Sequence, residues 1–309
     1  MDCILTEIAE TKSPKIVVAM RDQDKIPDYV THVIALSEDK KVTYSGPVDG
    51  YRVPEKAVVK PEISPKKATK IGDVLVDIKN LNIVYNRNDI PTPVLQNLSW
   101  TIREGERWAL SGPNGSGKTT LLSTILGDHP KSWANDIVIF GRQRGTGESI
   151  FDIQEQIGHV SPELYLHFPG YQSTKRAVST GFNGNFQALG NSALAADPAK
   201  ETRIAELLQD FGLSEQAETP FNQLSSGQQR LVLFLRAIVK PDVKLIVLDE
   251  PFQGMDARMI EQCQEWLNTK LGENQAIVFI SHYITEWPKC LTHHIALTGS
   301  GGSPDLKRL

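Results

Sequence analysis

The chain has 309 residues, with 33 basic against 37 acidic side chains, a net charge of −4, an apolar fraction of 40% and a charged fraction of 23%. These proportions belong to a folded globular protein and exclude disorder throughout, and the acidic balance argues against a duplex-binding surface. Apolar runs such as Ala276–Ile280 are far shorter than the roughly 18 residues a membrane helix requires, so the chain is expected not to span a bilayer by itself.

Met1 is followed by Asp2 with no basic flank or long apolar run, so no secretory signal is expected. Cys3, Cys263 and Cys290 are too scattered for a metal cluster and read as free thiols in a reducing compartment. The expected setting is intracellular, either cytoplasmic or mitochondrial.

In chain order, residues 1–45 hold a helix-like start and two apolar runs, Ile16–Met20 and Val33–Leu36. Residues 46–72 combine Pro47, Pro54, Pro61 and Pro65 with five lysines (Lys56, Lys60, Lys66, Lys67, Lys70), which reads as a solvated, semi-extended linker. Residues 73–298 are dense in regular patterns. Strands are expected at Val74–Ile78, Leu81–Tyr85, Pro93–Ile102, Arg107–Leu110 and Ile137–Phe140, and a helix at Thr119–Leu126 closed by Gly127. Residues 165–235 read as helices and loops. Val243–Leu248 and Ala276–Ile280 are continuous apolar runs of the kind that fill buried parallel strands. Strands alternating with helices give an α/β layered fold, and residues 299–309 read as a mobile tail.

The chain repeats itself. Ile16–Leu36 aligns without a gap on Ile277–Leu297, a shift of 261, with 8 of 21 positions identical. The first 45 residues therefore read as the closing part of a second copy of the main domain, whose head is not in this sequence.

Three segments carry chemistry. Gly112, Pro113, Asn114, Gly115, Ser116, Gly117, Lys118 and Thr119 fit the spacing G-x-x-x-x-G-K-[ST], with Thr120 next, between an apolar strand and an apolar helix. Glycines let successive backbone N–H groups turn inward on an anion, and the helix start adds its positive end. Lys118 would reach the outer phosphates of a nucleotide, and the Thr119 hydroxyl would ligate Mg²⁺. Leu245–Leu248 is an apolar strand ending in Asp249 and Glu250, suited to holding that metal through Asp249 and activating water through Glu250. Leu224, Ser225, Ser226, Gly227, Gln228, Gln229 and Arg230 place Ser and Gly before an amphipathic helix, a helix-start anion site or a plain helix cap.

Together, in this order, the segments resemble the nucleotide-binding domain of the ATP-binding cassette (ABC) family over about residues 74–298. The resemblance makes Gly112–Thr119 the Walker A loop, Leu224–Arg230 the signature and Leu245–Glu250 Walker B. It makes Asp256 the D-loop aspartate, His282 the switch histidine and Tyr85 the aromatic that stacks on adenine. It implies a P-loop NTPase (RecA-like) core with an antiparallel β subdomain and a helical signature subdomain. It also implies ATP and Mg²⁺ as ligands, ATP hydrolysis as the activity, and a head-to-tail pair of modules in which Ser225 and Gly227 touch the γ-phosphate held by the partner module. Lys118, Glu250 and His282 are then the catalytic set.

Three departures from the family pattern stand out. Ser226 replaces a glycine in the signature, and the D-loop reads Gln253-Gly-Met-Asp256. Pro162 and Glu163 stand where transporters carry a glutamine that couples to the membrane subunit. Proline has no side-chain donor and an ionised glutamate only accepts, so a transporter subunit is the disfavoured alternative, beside a non-hydrolysing nucleotide sensor. The run Val160-Ser-Pro-Glu-Leu164 resembles the ModF/PhrA-type branch, tandem ABC ATPases without membrane domains. The repeat agrees with that branch, and in it Arg21 falls opposite His282. The expected partner is a second ABC module, from another copy or an upstream one; nucleic acid is disfavoured.

Overall fold

The computed structural model describes residues 15–20, 26–37, 41–52, 72–87, 90–147, 149–184, 197–299 and 304–309. The chain divides into two units, Met1–Val59 and Lys60–Leu309. In the first, β1 (His32–Leu36) pairs antiparallel with β2 (Val42–Pro47), which leads into a 3-10 turn at Val48–Gly50. The Tyr44 side chain folds over that turn, where its hydroxyl donates to the Pro47 carbonyl at 2.6 Å. A Cβ on Gly50 would lie 2.6 Å from that hydroxyl, so a side chain there would displace the tyrosine from the turn. Residues 46–50 are therefore strand and turn rather than extended linker. Ile16–Met20 forms neither strand nor helix. The helix-like start at 1–14, Arg21, residues 53–71 and the segment 185–196 lie outside the described residues.

In the second unit, β3 (Val74–Arg87) and β4 (Ile90–Arg103) form a long hairpin. The two strands expected at 74–78 and 81–85 are thus one strand. Its register slips between Ile78 and Leu81, where Asn80 takes φ +49°, and again between Leu81 and Ile83, across from which Asn97 takes φ +48°. Asparagine tolerates that left-handed geometry, and side chains hold both bulges: the Asn80 N–H donates to Ser99 Oγ and the Asn97 N–H to Asn82 Oδ1, each at 3.0 Å. Pro91 and Pro93 sit on β4, an edge strand, where a missing N–H costs nothing.

After β5 (Arg107–Ser111) comes α1 (Lys118–Ile125), and then β6 (Asp136–Ile139) and β7 (Arg142–Gln143) complete an antiparallel sheet of order β4-β3-β6-β7. Next come α2 (Ile150–Gln154), β8 (Ile157–Val160), α3 (Pro162–His167), α4 (Thr174–Ser179), α5 (Pro198–Asp210), α6 (Ser226–Ile238), β9 (Leu245–Asp249), α7 (Ala257–Thr269), β10 (Ala276–Ile280), β11 (His293–Ala296) and β12 (Asp305–Arg308). The main sheet has the order β12-β11-β5-β10-β9-β8, parallel except for β12.

β9 and β10 are buried at every position, which is why they read as unbroken apolar runs. Their side chains alternate between two cores. Leu245, Val247, Ala276, Val278 and Ile280 join α1 and the antiparallel sheet, whereas Ile246, Leu248, Ile277 and Phe279 join α6, α7 and the helical segment. Each fully buried Leu, Ile or Phe contributes about 1.5–3 kcal/mol of transfer free energy. Helix α6 lies so close to β8 that a Cβ on Gly158 would stand 1.9 Å from the Ala237 carbonyl oxygen, and so close to the turn after α4 that one on Gly181 would stand 2.0 Å from that of Arg236. The expected α/β core, antiparallel β subdomain and helical subdomain are all present.

The last residues depart from the mobile tail read at 299–309: residues 305–308 form β12 because β11 offers them an open antiparallel edge. This hairpin repeats the one at the start of the chain. The pairs His32–Pro47, Val33–Gly46, Ile34–Ser45 and Ala35–Tyr44 become, with 261 added to each number, His293–Arg308, His294–Lys307, Ile295–Leu306 and Ala296–Asp305. The settings differ. Ile295 and Leu297 are 0% and 4% exposed beside β5, whereas Ile34 and Leu36 are 70% and 63% exposed.

Candidate nucleotide site

The parallel order brings the ends of β5, β10 and β9 to one edge of the sheet. There Ser111 leads into Gly112, Ile280 into the His282 segment, and Asp249 into Glu250. Two strand spacings, about 10 Å, separate β5 from β9.

The loop between β5 and α1 is built by its glycines. Gly112, Gly115 and Gly117 have φ of +149°, +79° and +97°, values that side chains rarely adopt. Gly112 and Gly117 also have no room for a Cβ. At Gly112 it would lie 2.6 Å from the Leu297 carbonyl oxygen and 2.7 Å from Ser116 Oγ. At Gly117 it would lie 2.8 Å from Leu95 Cδ2 and 3.1 Å from Val94 Cγ1, so the β3–β4 hairpin packs on the start of α1. Lys118 Nζ donates to the carbonyl oxygens of Gly112 and Pro113 at 2.8 and 3.1 Å, arching over the loop. Pro113 and Asn114 of the loop and Thr119 of α1 are exposed. Ser116 Oγ is buried without a hydrogen-bond partner, which costs about 1–3 kcal/mol unless a ligand satisfies it. An anion seated on the loop fits that orphaned hydroxyl, the backbone geometry and the ammonium.

The opposite side of the edge is acidic. Asp249 is 7% exposed, and burial pushes its carboxyl up to about 7; Glu250 and Glu163 push the same way, and Lys118 alone opposes them. Glu163, in the first turn of α3, and Lys118 are thus both within electrostatic reach of Asp249. A buried carboxylate with two acidic neighbours suits a cation, although among the described residues no three Asp, Glu, His or Cys side chains cluster closely enough to hold a metal by themselves. Glu250 has φ +48°, a conformation that costs a side-chain-bearing residue of order 1 kcal/mol. It is fixed from β10: its N–H donates to the Ile280 carbonyl at 3.0 Å, and its Oε1 accepts the His282 N–H at 3.1 Å. His282 Nε2 stands 3.6 Å from the same oxygen. The turn carrying His282 is anchored by buried Glu286, which accepts from Ser281 Oγ at 2.5 Å, while Ser281 Oγ accepts the Tyr283 N–H at 3.1 Å. Glu286 escapes a sequence reading because one acidic residue four positions past a histidine carries no distinctive pattern.

The remaining expected residues are held elsewhere in the unit. Ser225 caps α6 in a reciprocal box: its hydroxyl accepts the Gln228 N–H at 3.3 Å and its own N–H donates to Gln228 Oε1 at 3.0 Å. Ser225 and Ser226 are exposed, whereas Gly227 is buried, with a would-be Cβ 3.1 Å from the Gly254 carbonyl oxygen. The signature turn therefore packs on the loop that ends in Asp256, which itself caps α7 by accepting the Met259 N–H at 2.8 Å. Arg230 ties three parts together, donating to Gln253 Oε1 at 3.2 Å with its guanidinium 3.8 Å over the Tyr165 ring of α3. Tyr85, near the tip of the β3–β4 hairpin, is half-buried, and its hydroxyl lies 2.8 Å from His129 Nε2.

The ABC transporter family model matches residues 95–253, just over half of the chain. An uncharacterized ABC transporter ATP-binding protein of Schizosaccharomyces pombe is 45% identical over 300 residues, covering 94% of this chain and 59% of that protein. The ABC transporter ATP-binding protein ModF of Escherichia coli is 34% identical over 264 residues, covering 85% and 51%. The chain thus spans about half the length of the curated relatives it matches. Among solved structures, the ATP-binding cassette MJ0796 in a dimeric post-hydrolysis state bound to ADP and Pi shares the fold, with a TM-score of 0.61 at 21% identity over 76% of this chain and 99% of that one. Among the described residues no helix is long and apolar enough to cross a membrane. By its family match, which covers the glycine loop and the carboxylate edge, the chain belongs to the ABC transporter family.

Proposed function

We propose that this chain binds Mg-ATP between Gly112–Thr120 and Asp249, and hydrolyses it in a head-to-tail pair with a second ABC module. The observation that carries this reading is the meeting of Lys118, Asp249, Glu250 and His282, from three separate segments, at one edge of the sheet. Lys118 exchanges its loop carbonyls for the outer phosphates, and Ser116 Oγ gains the partner it lacks. Thr119 and Asp249 would hold Mg²⁺, which would offset the charge of the triphosphate. Glu250, held in place by the His282 N–H, takes the proton of the attacking water. His282 lies beside it to contact the γ-phosphate.

Ser225 and Gly227 serve a partner's nucleotide in this reading, which the exposure of Ser225 and Ser226 at the start of α6 supports. The duplicated hairpin register supports an upstream module as that partner, with residues 1–45 as the module's closing part. Pro162 and Glu163, in place of a glutamine, weigh against coupling to a membrane subunit. The buried thiols Cys263 and Cys290 suit a reducing, intracellular setting, and nothing in the relatives supports the mitochondrial alternative. Phosphate release from Mg-ATP, measured across protein concentration, tests the proposal. Activity per molecule should rise with concentration if a second copy completes the site, and nucleotide binding with no release at any concentration would overturn it.

A further inference from the structure

Tyr85 does not stand alone at the hairpin tip; the loop after α1 grips it. His129, 5% exposed, places Nε2 at 2.8 Å from the Tyr85 hydroxyl, with its ring edge-on at a centroid distance of 6.1 Å. The Lys131 N–H donates to His129 Nδ1 at 3.2 Å. Burial lowers the pKa of His129 and keeps it neutral, and with Nδ1 accepting, its proton sits on Nε2. Nε2–H therefore donates to the Tyr85 oxygen. Lys131 closes the arrangement: its ammonium lies 5.2 Å over the Tyr85 ring and donates to the Val84 carbonyl. The loop is itself braced, the His129 carbonyl accepting the Ser132 N–H at 3.0 Å and Ser132 Oγ at 2.7 Å. Across the hairpin Tyr85 pairs with Thr92, two residues from Val94, which packs on Gly117 of the glycine loop.

We propose that His129 is a positioning residue for nucleotide recognition: it fixes the Tyr85 ring as a platform at a set distance from the glycine loop, on which the base of the nucleotide stacks. This inference rests on the reading of Tyr85 as the base-stacking aromatic. A tyrosine on an exposed hairpin tip rotates about two side-chain bonds, and a platform that must be ordered at each binding event costs affinity. A hydrogen bond to its far end removes that cost before the nucleotide arrives.

The test compares binding of ATP with binding of inorganic tripolyphosphate, both with Mg²⁺, in the full chain. His129→Ala and Tyr85→Phe should each weaken ATP binding about three- to tenfold and leave tripolyphosphate binding unchanged. The double variant should be no weaker than either single one, since both remove the same bond. His129→Gln, whose amide N–H reaches toward the same oxygen, should restore most of the loss. If Tyr85→Ala weakens ATP binding but His129→Ala and Tyr85→Phe do not, the platform stands and the positioning role falls. If Tyr85→Ala leaves ATP binding unchanged, the stacking reading itself falls. Equal weakening of ATP and tripolyphosphate in His129→Ala, unrelieved in His129→Gln, would mark a merely structural role and overturn the proposal.

Discussion

The glycine loop and the carboxylate edge face each other across two strand spacings, and they are made in opposite ways. The loop is eight consecutive residues whose work is done largely by backbone: three glycines at positive φ and one lysine folded onto the carbonyls of its own turn. The edge is assembled from β9 and β10 and works through side chains, with Glu250 held in a strained conformation by two backbone groups of the neighbouring segment. A binding surface made of local backbone tolerates little change in its glycines but depends little on the rest of the sheet. A carboxylate held between two strands, as Glu250 is, depends on their register. Loss of binding and loss of turnover should therefore separate cleanly between the two regions.

The largest effect is expected from Lys118→Ala. Removing the ammonium from the loop should weaken ATP binding by at least about 100-fold, read by calorimetry, while the fold and its melting temperature remain. Next is His282→Ala on the other side. It should leave ATP binding within about threefold and lower turnover on the order of 100-fold, read as phosphate release. An equal loss of binding in both variants would break the separation.

A smaller effect is expected from Gly117→Ala. Its φ of +97° and the Leu95 methyl 2.8 Å from the new Cβ should cost about 1–3 kcal/mol of stability. Binding should weaken with it, measured by denaturant unfolding and ATP titration together.

The smallest is a pH effect confined to the acidic side. The Asp249 carboxyl is held up to about 7 from an ordinary 3.8, by burial first and then by Glu250 and Glu163. A carboxyl raised in the folded state supports the fold while protonated, so this contribution is complete below about pH 4 and lost as pH rises through 7. The melting temperature of the nucleotide-free protein should therefore fall by a few degrees between pH 5 and pH 8 relative to Asp249→Asn. A difference that does not change over that range would contradict the electrostatic account of this edge.

Legibility in the sequence divides along the same line. The glycine loop was fully legible, because a site made of contiguous backbone leaves its signature in residue order. The buried strands β9 and β10 were legible as apolar runs, and Asp249 and Glu250 as the residues that end one of them. The contact between Glu250 and His282 was not, because it depends on β10 lying beside β9. Glu163 was noticed only as a departure from pattern; the structure brings it within reach of Asp249. His129 and Glu286 were invisible, since single polar residues in loops acquire their roles only from the elements that fold against them. The two bulges that let the β3–β4 hairpin run unbroken lay hidden in Asn80 and Asn97, ordinary loop residues until their φ is known. The strand at 305–308 was missed because the run from Gly299 to Pro304 reads as a chain end, yet the open edge of β11 recruits the residues beyond that run.

The central claim, that Glu250 is the base and the glycine loop the binding surface, meets its most direct test in Glu250→Gln. The amide is nearly isosteric and cannot take a proton from water. The account predicts that this variant binds ATP as tightly as the unaltered chain and releases no phosphate. Phosphate release at the unaltered rate would contradict it.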